Sequence, residues 1–307
     1  GNIALGSSAI TLDTGAVTLT TGSGSAGNIS QSGNVNGAQN LTVEAGSGTV
    51  SVGTIGNSTA VGVLAIDGSG GITVNGDVTS TGTQTYGDAV TLAGNTTFTT
   101  SNDKLKFTST LAGSGSARNV TAALGTGEMQ FGGAATSNIG TLDITAGTLN
   151  QDAAITTSGD VTMALSNAAT LAYDFTSGGA TAITVSADDS GAATFTLAAD
   201  KTLTSTSGAV TITADDMDIA GTAITATGQT VTLKSNTASD ALDLGSTGTT
   251  TANTLELSEA ELDKVAGSKL ILGSSAQGAV TVSADITPPI STVHVKSGST
   301  VTGTDGG

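Results

Sequence analysis

The chain has 307 residues, of which 37% are hydrophobic, 2% aromatic and 11% charged, and its formal net charge is −17. This acidity excludes nucleic acids and anionic membrane surfaces as partners, because binding to either requires clusters of Lys and Arg. Ser and Thr make up about 30% of the residues and Gly accounts for 44, a polar composition that often means disorder. Because the apolar residues nevertheless recur in an ordered way, the chain is expected to fold around a narrow core.

The sequence also bears on where the protein works. It contains no Cys and no apolar stretch near the ~18 residues of a membrane helix, and it begins at Gly1 with no start Met and no basic, apolar signal region. Cysteine-free chains occur in every compartment, but they suit export in the unfolded state through a narrow pore. We expect an extracellular protein without membrane insertion, present here as a mature product or an excised segment.

A three-residue unit, apolar–Thr–apolar, recurs at a spacing of about two dozen residues. It occupies 17–19, 41–43, 90–92, 183–185, 210–212, 231–233 and 280–282. Imperfect copies lie at 64–66, 120–122, 142–144, 161–163, 255–257 and 301–302. From Val17 to Val301 the twelve steps average about 23.7 residues. A period of this size is typical of a solenoid, in which each coil buries its apolar face against its neighbours.

Other short alternating pieces lie between these copies and are bounded by Gly, Asn, Asp or Ser, for example at 72–74, 105–107 and 270–272. Two or three such strands per coil predict an all-β fold, a single right-handed parallel β-helix (β-solenoid). We expect about 13 coils of roughly 24 residues, continuous over residues 1–307. A stacking distance of ~4.8 Å would make a rod of about 60 Å. Bare end coils would expose strand edges, so the chain is expected to continue in a longer parent or to stack on a copy of itself.

In each strand the flanking apolar residues are predicted to face the core and the middle residue to face solvent. Ten of the thirteen middle residues are Thr, which predicts a ladder of Thr down one face. The β propensity of Thr is a sufficient reason for such a ladder. An ice-binding face is an alternative, but it needs a second Thr column in register. The pairs 97/99, 202/204 and 225/227 do not recur at one phase of the coil.

Two segments depart from the strand pattern. Ser258 and Glu261 form a predicted capping box and Gly267 is a stop signal, so we expect a short helical corner insertion near 258–266. Pro288 and Pro289 are the only prolines, and because proline removes a ladder donor they predict a corner at 288–289.

Residues that carry enzymatic chemistry are scarce. His294 is the only histidine, so a Ser–His–Asp site would depend on that one imidazole. Polysaccharide lyases and glycosidases need basic groups or paired carboxylates at the substrate. Arg118 is the only arginine, and Tyr86 and Tyr173 are the only tyrosines. We therefore expect no enzyme, no catalytic or cofactor-binding residues and no cofactor.

Clustered carboxylates and glycosylation sequons are further candidate sites in the sequence. Asp188, Asp189, Asp215, Asp216 and Asp218 offer oxygen ligands that Ca²⁺ prefers, but both clusters are predicted to lie at turns, where Asp is favoured in any case. We assign no metal residues. Sequons occur at Asn28, Asn40, Asn57, Asn95 and Asn119, a number that composition alone predicts.

One segment resembles a known family. Residues 255–273, LELSEAELDKVAGSKLILG, followed by GAVTVS at 278–283, resemble a segment of large bacterial haemagglutinin-like and β-strand-repeat surface proteins. The preceding Gly/Thr/Ala-rich coils are similar to the central repeats of filamentous-haemagglutinin-type exoproteins and autotransporter passengers. The resemblance implies a secreted right-handed β-helix that serves as an adhesin stalk or surface fibre. Its motif residues are structural, and the family's secretion domain and translocating barrel have no counterpart in these residues.

The sequence therefore predicts a non-catalytic extracellular structural protein, a rigid adhesin-type stalk or surface fibre of a bacterium. Its expected partners are a copy of itself end to end, the rest of a longer surface protein, or the surface of a host or neighbouring cell. One alternative is a subunit of a filament that assembles end to end by β-strand stacking. Another is a glycan-binding or polysaccharide-processing β-helix, which predicts a groove lined by Asp and Lys from adjacent coils.

Overall fold

The computed structural model shows an all-β parallel β-solenoid of about 13 turns, which recur about every 22 residues, with almost no helix. It describes residues 1–24, 26–133, 137–186, 194–247 and 251–303. The chain forms two compact units, Gly1–Ser158 and Gly159–Gly307, and each is described by itself. The predicted fold class is confirmed; continuity of one solenoid over residues 1–307 stays a prediction.

The first unit consists of short strands joined by tight turns. Its strands are β1 (Ile3–Ala4), β2 (Ile10–Thr11), β3 (Val17–Thr20), β4 (Ile29–Gln31), β5 (Val35–Asn36), β6 (Leu41–Glu44), β7 (Val50–Val52), β8 (Leu64–Asp67), β9 (Ile72–Val74), β10 (Val78–Thr79), β11 (Gln84–Tyr86), β12 (Val90–Leu92), β13 (Thr96–Thr99), β14 (Leu105–Phe107), β15 (Leu111–Gly113), β16 (Arg118–Ala123), β17 (Glu128–Phe131), β18 (Ile139–Gln151) and β19 (Ile155–Thr156).

The second unit repeats this organisation and adds one short helix. Its elements are β20 (Val161–Leu171), β21 (Phe175–Ser177), β22 (Thr181–Val185), β23 (Thr194–Leu197), β24 (Thr202–Ser205), β25 (Val210–Thr213), β26 (Asp216–Ile219), β27 (Ala223–Ala226), β28 (Thr230–Lys234), β29 (Ala241–Leu244), β30 (Thr254–Leu257), α1 (Glu259–Leu262), β31 (Val265–Ala266), β32 (Lys269–Gly273), β33 (Val280–Val282), β34 (Val293–Lys296) and β35 (Val301–Gly303).

Strands of successive turns pair in parallel and in register. Leu41, for example, lies opposite Val17 of the preceding turn and Leu64 of the following turn. Within β6 the side chains of Leu41 and Val43 are buried, whereas those of Thr42 and Glu44 are half-buried. The period-two pattern of the sequence therefore separates a narrow apolar interior from the outer surface.

The core of the first unit contains a cluster of four aromatic rings. The Phe107 ring stacks on Tyr86 at a centroid distance of 5.1 Å and on Phe131 at 6.2 Å, and it meets Phe98 edge-on at 5.3 Å. Tyr86 is fully buried, and this burial raises the pKa of its hydroxyl. Most of the chain's few aromatic residues are thus used for packing.

Asn and Asp side chains at the corners tie one turn to the next. The Oδ1 atom of Asn28 accepts a hydrogen bond from the N–H of Thr49 at 2.9 Å. In the same way Asn119 accepts from the N–H of Thr141 at 3.1 Å. These bonds supplement the strand ladder at positions where the backbone bends and a main-chain partner is missing.

The spacing of the turns along the chain is uneven. The turns recur about every 22 residues, slightly closer together than the sequence predicted. Ile72 lies in register with Val90, and Leu64 with Gln84, and both of these steps are short. The step from Leu242 to Val280 is much longer, because the segment that holds β30 and α1 is inserted there. The steps counted in the sequence join units on different faces of the coil, such as 64–66 and 90–92, so their average is not the length of one turn.

The predicted single ladder of Thr is wrong. Thr18 and Thr42 stack on Ala65, but that column continues through Thr85 to Lys106. The column of Thr91 instead joins Thr73 to Ala112, and Thr121 belongs to a third column with Thr97 and Asp143. The apolar–Thr–apolar units occupy different faces, because every face of the coil demands the same alternation of side chains.

The two departures from the strand pattern lie in the second unit. The helix α1 has Ser258 as its N-cap, and both hydrogen bonds of the capping box with Glu261 are present. Pro288 and Pro289 lie between β33 and β34, outside any strand. A proline there removes no ladder hydrogen bond.

Candidate functional site: a groove in the second unit

A groove of about 570 Å³ lies on the second unit beside β26, β30 and α1. Its lining is polar and acidic, with an apolar contribution from β26 and the residue that follows it. The lining residues are Thr194, Asp216, Met217, Asp218, Ile219, Ala220, Ser246, Thr247, Glu256, Ser258, Glu261 and Lys264.

The groove marks a break in the parallel ladder. β26 pairs with β23, and β30 pairs with β29. Cα atoms of β26 and β30 approach within 8 Å, yet these two strands are not paired with each other in the described part of the chain. We call this break the seam.

The direction of the main-chain groups at the seam follows from the intact ladders. An inward-facing residue directs its N–H to the following turn, as Leu242 does towards the carbonyl oxygen of Ala279 at 3.0 Å. Met217 and Ile219 are the inward-facing residues of β26, so their N–H and C=O groups face β30. The carbonyl oxygen of Leu257 accepts a hydrogen bond from the N–H of Gly245, at the end of β29, at 2.8 Å. Because neighbouring residues of a strand direct their main-chain groups to opposite sides, the N–H and C=O groups of Glu256 face β26.

Two side chains of the helical insertion replace the missing ladder bonds. The Oε1 atom of Glu261 accepts from the N–H of Ile219 at 3.1 Å, and its Oε2 atom accepts from the N–H of Ser258 at 2.9 Å. The Nζ atom of Lys264 donates to the carbonyl of Ile219 at 2.7 Å. A carboxylate and an ammonium group thus supply the hydrogen-bond partners of the Ile219 N–H and C=O groups at this end of the seam.

The remaining polar groups of the groove are also partly engaged within the protein. The carboxylate of Glu256 accepts from the hydroxyls of Ser246 and Thr251 and from the N–H of Thr251, at 3.1–3.2 Å. Asp216 accepts from the Thr194 hydroxyl at 3.3 Å. Asp218 is exposed and is available to accept hydrogen bonds from hydroxyl or ammonium groups.

The charge of the lining favours cations, but the side chains do not form a metal site. Four carboxylates and one ammonium give a net charge of −4 + 1 = −3. Among the described residues, no group of three or more His, Cys, Asp or Glu side chains is arranged to hold a metal ion.

The acidic residues considered from the sequence separate in the structure. Asp215 lies at a corner and accepts from the N–H groups of Asn236 and Thr237, both at 2.7 Å. Asp216 and Asp218 lie in β26 and line the groove, so the prediction that they occupy a turn is wrong. Asp216 and Asp218 alternate with the buried Met217 and Ile219, a pattern that is typical of a strand. Asp188 and Asp189 lie outside the described residues.

The histidine, the arginine and the exposed tyrosine, which are rare residue types in this sequence, do not lie at the groove. His294 is exposed on β34. Arg118 lies in the first unit, where its Nη2 atom donates to the carbonyl of Ser114 at 3.2 Å. Tyr173 is 41% exposed, and the Nζ atom of Lys201 lies 5.7 Å from its ring centroid.

Four of the five sequon asparagines serve as corner ties. The Oδ1 atoms of Asn28, Asn40, Asn95 and Asn119 each accept from a main-chain N–H of the following turn at 2.8–3.1 Å. Asn57 lies exposed in a turn. These four side chains therefore have a structural use in the coil.

The local sequence pattern does not indicate the position of the groove. The capping-box segment indicated the helical insertion, but nothing in the local pattern indicated that β30 would take the place next to β26. That placement depends on the parallel pairing of β30 with β29, a contact that no local sequence pattern specifies.

The fold defines the class of this protein, the parallel β-solenoids. No protein-family model, curated protein or solved structure matches the chain. None of the described residues belongs to a helix with the length and apolarity that crossing a membrane requires. Any narrower assignment therefore depends on the chemistry of the molecule.

Proposed function

We propose that the chain is a non-catalytic extracellular structural protein, a rigid stalk or surface fibre of a bacterium. The observation that carries the proposal is the use of its polar groups for cohesion between turns. Corner Asn and Asp side chains, the Glu261 carboxylate and the Lys264 ammonium all bond to main chain of a neighbouring segment. Polar side chains used in this way stiffen the coil and are not available for catalysis.

Composition supports an exposed location. The net charge of −17 and the absence of Cys suit a soluble surface outside the cell and export of an unfolded chain. The resemblance of residues 255–283 to bacterial surface exoproteins points the same way. These residues include β30, α1 and β32, all of which have structural roles.

Force spectroscopy tests the mechanical role. The native chain, held at its two termini, is expected to resist extension and then unfold in discrete steps. A Val210→Asp variant should lose the steps that belong to the second unit, because Val210 is fully buried in β25. Smooth extension of the wild-type protein at low force would contradict the proposal.

A filament subunit that stacks end to end is a second candidate. The first turns surround an apolar cavity of about 250 Å³ lined by residues that include Leu5, Ile10, Val17 and Leu19. Within the described residues, β1, β2 and β3 each pair on one side only. Electron microscopy of the native protein separates the candidates: long unbranched fibres support self-assembly, whereas discrete particles support a segment of a stalk.

A glycan-binding or polysaccharide-processing role is a third candidate. The groove meets its requirement for Asp and Lys from neighbouring segments, through Asp216, Asp218 and Lys264. Binding and turnover measured on a panel of neutral, amino and acidic glycans test it. Binding that is lost in Asp218→Asn would favour this role over a purely mechanical one.

A further inference from the structure

We propose that the seam is the place where the wall of the second unit opens locally, and that Glu261 and Lys264 form a latch that holds it closed. This inference concerns a conformational property and does not depend on the proposed function. The moving part is the strap, defined as β30, α1 and the two residues that follow the helix (residues 254–264), so that both latch residues belong to it.

The first argument is the kind of bonding at the seam. Along the same face, β26 is joined to β23 by main-chain pairing over four residues, from Asp216 to Ile219. Across the seam, Ile219 is held by the two latch side chains instead. Holding long side chains in one conformation costs rotamer entropy, so these bonds open more readily than a main-chain ladder.

The second argument concerns the middle of the seam. The main-chain groups of Met217 and Glu256 face each other there, but β26 and β30 form no ladder in the described part of the chain. Met217 nevertheless has only 4% of its surface exposed. Opening therefore brings a buried side chain and free strand edges to solvent without breaking a ladder.

The third argument is that the rest of the turn remains tied. β25 pairs with β28, β28 with β32, and β27 with β31. The strap itself remains attached to β29 through four register pairs. Opening at the seam is thus a local event, distinct from global unfolding.

The absence of Cys allows a direct test by thiol labelling. Met217→Cys places a thiol at the seam, and Ile212→Cys places one at an inward-facing position of β25, where the ladder is intact. We expect Cys at 217 to react at least tenfold faster than Cys at 212 under native conditions. Equal rates would mean that both sites are exposed by the same global opening, which overturns the proposal.

The latch is tested by adding Glu261→Gln to each thiol variant. A Gln side chain retains one acceptor oxygen and cannot bridge the N–H groups of both Ile219 and Ser258. We expect labelling at 217 to accelerate several-fold further while labelling at 212 is unchanged. Unchanged labelling at 217, or equal acceleration at both sites, would contradict the latch.

Glu259→Gln is the matched control. Glu259 lies in the same helix, but its carboxylate accepts from the N–H of Thr287 at 2.8 Å and not from β26. Glu259→Gln should leave the labelling rate of the Cys at 217 unchanged.

Hydrogen exchange of the Ile219 amide tests Lys264. Lys264→Met should accelerate this exchange, whereas Lys264→Arg should keep the amide protected. Unchanged exchange in Lys264→Met, or equal acceleration in Lys264→Met and Lys264→Arg, would remove the Lys264 ammonium group from the latch.

Discussion

Asp67 shows how the stacking of turns acts on single residues. It lies at the end of β8 opposite Glu44 of the preceding turn, and it shares a hydrogen bond with Asp88. The pKa of Asp67 is raised, first because this hydrogen bond favours its protonated form. Partial burial and the negative charges of Asp88 and Glu44 act in the same direction.

The sign of this shift predicts the effect of Asp67→Asn. Because the folded-state pKa is above the unfolded value, the contribution of Asp67 to stability is full at low pH and is lost as pH rises through the folded-state pKa. Asp67→Asn should therefore raise the Tm by about 1 °C at pH 7, a small effect because the site is largely solvated. Thermal unfolding should show no such gain near pH 3. The exposed Asp13→Asn serves as control, and an equal gain there would assign the effect to net charge.

The corner asparagines allow a second prediction at the residue scale. In Asn119→Ala the N–H of Thr141 loses its acceptor, and we expect a loss of about 1 kcal/mol in the free energy of unfolding. Asn57→Ala, at an exposed turn position, should change it by less than about 0.5 kcal/mol. Urea unfolding of both variants measures the difference, and equal effects would contradict the role of the corner ties.

At the scale of the element, each strand depends on the alternation of its side chains. In β25, Val210 is fully buried, whereas Thr211 faces outward between Ala182 and Thr232. The sequence predicted these orientations correctly because a strand reverses its side chains at every residue. It did not predict the face of the coil to which a strand belongs, since that depends on the number of residues in the intervening corners.

Aspartate substitutions in β25 test the alternation. Val210→Asp should cost several kcal/mol, because an unpaired carboxylate enters the core. Thr211→Asp places the same group at the surface and should cost less than about 1 kcal/mol. Denaturant unfolding measures both. Equal destabilisation by the two variants would show that the assigned inside and outside positions are wrong.

At the scale of the molecule, the main property is that turns contact their neighbours in the stack. The first unit is packed around the aromatic cluster at Phe107, and the second unit contains the buried Phe195. In a solenoid, the stability of a turn comes from that turn and from the interfaces next to it. Damage to the core should therefore remain near its origin.

Paired truncations test this locality. Phe107→Ala removes about 3–5 kcal/mol of packing and should accelerate hydrogen exchange in β11, β13, β14 and β17. Strands β25 and β28 of the second unit should retain their protection. Phe195→Ala should give the reverse distribution. If either variant accelerates exchange equally in both units, the molecule unfolds as one cooperative block and the prediction fails.

The sequence by itself determined the class of fold and the orientation of most side chains, because both follow from local rules. A period-two pattern places one set of side chains inside, and regular turn residues return the chain to the next coil. The capping box at Ser258 indicated the helix α1 for the same local reason. Tertiary structure decided which strands stack. It separated the Thr residues into several columns, placed β30 against β29 and thereby created the groove and its latch, since pairing between distant strands depends on the lengths of all the corners between them.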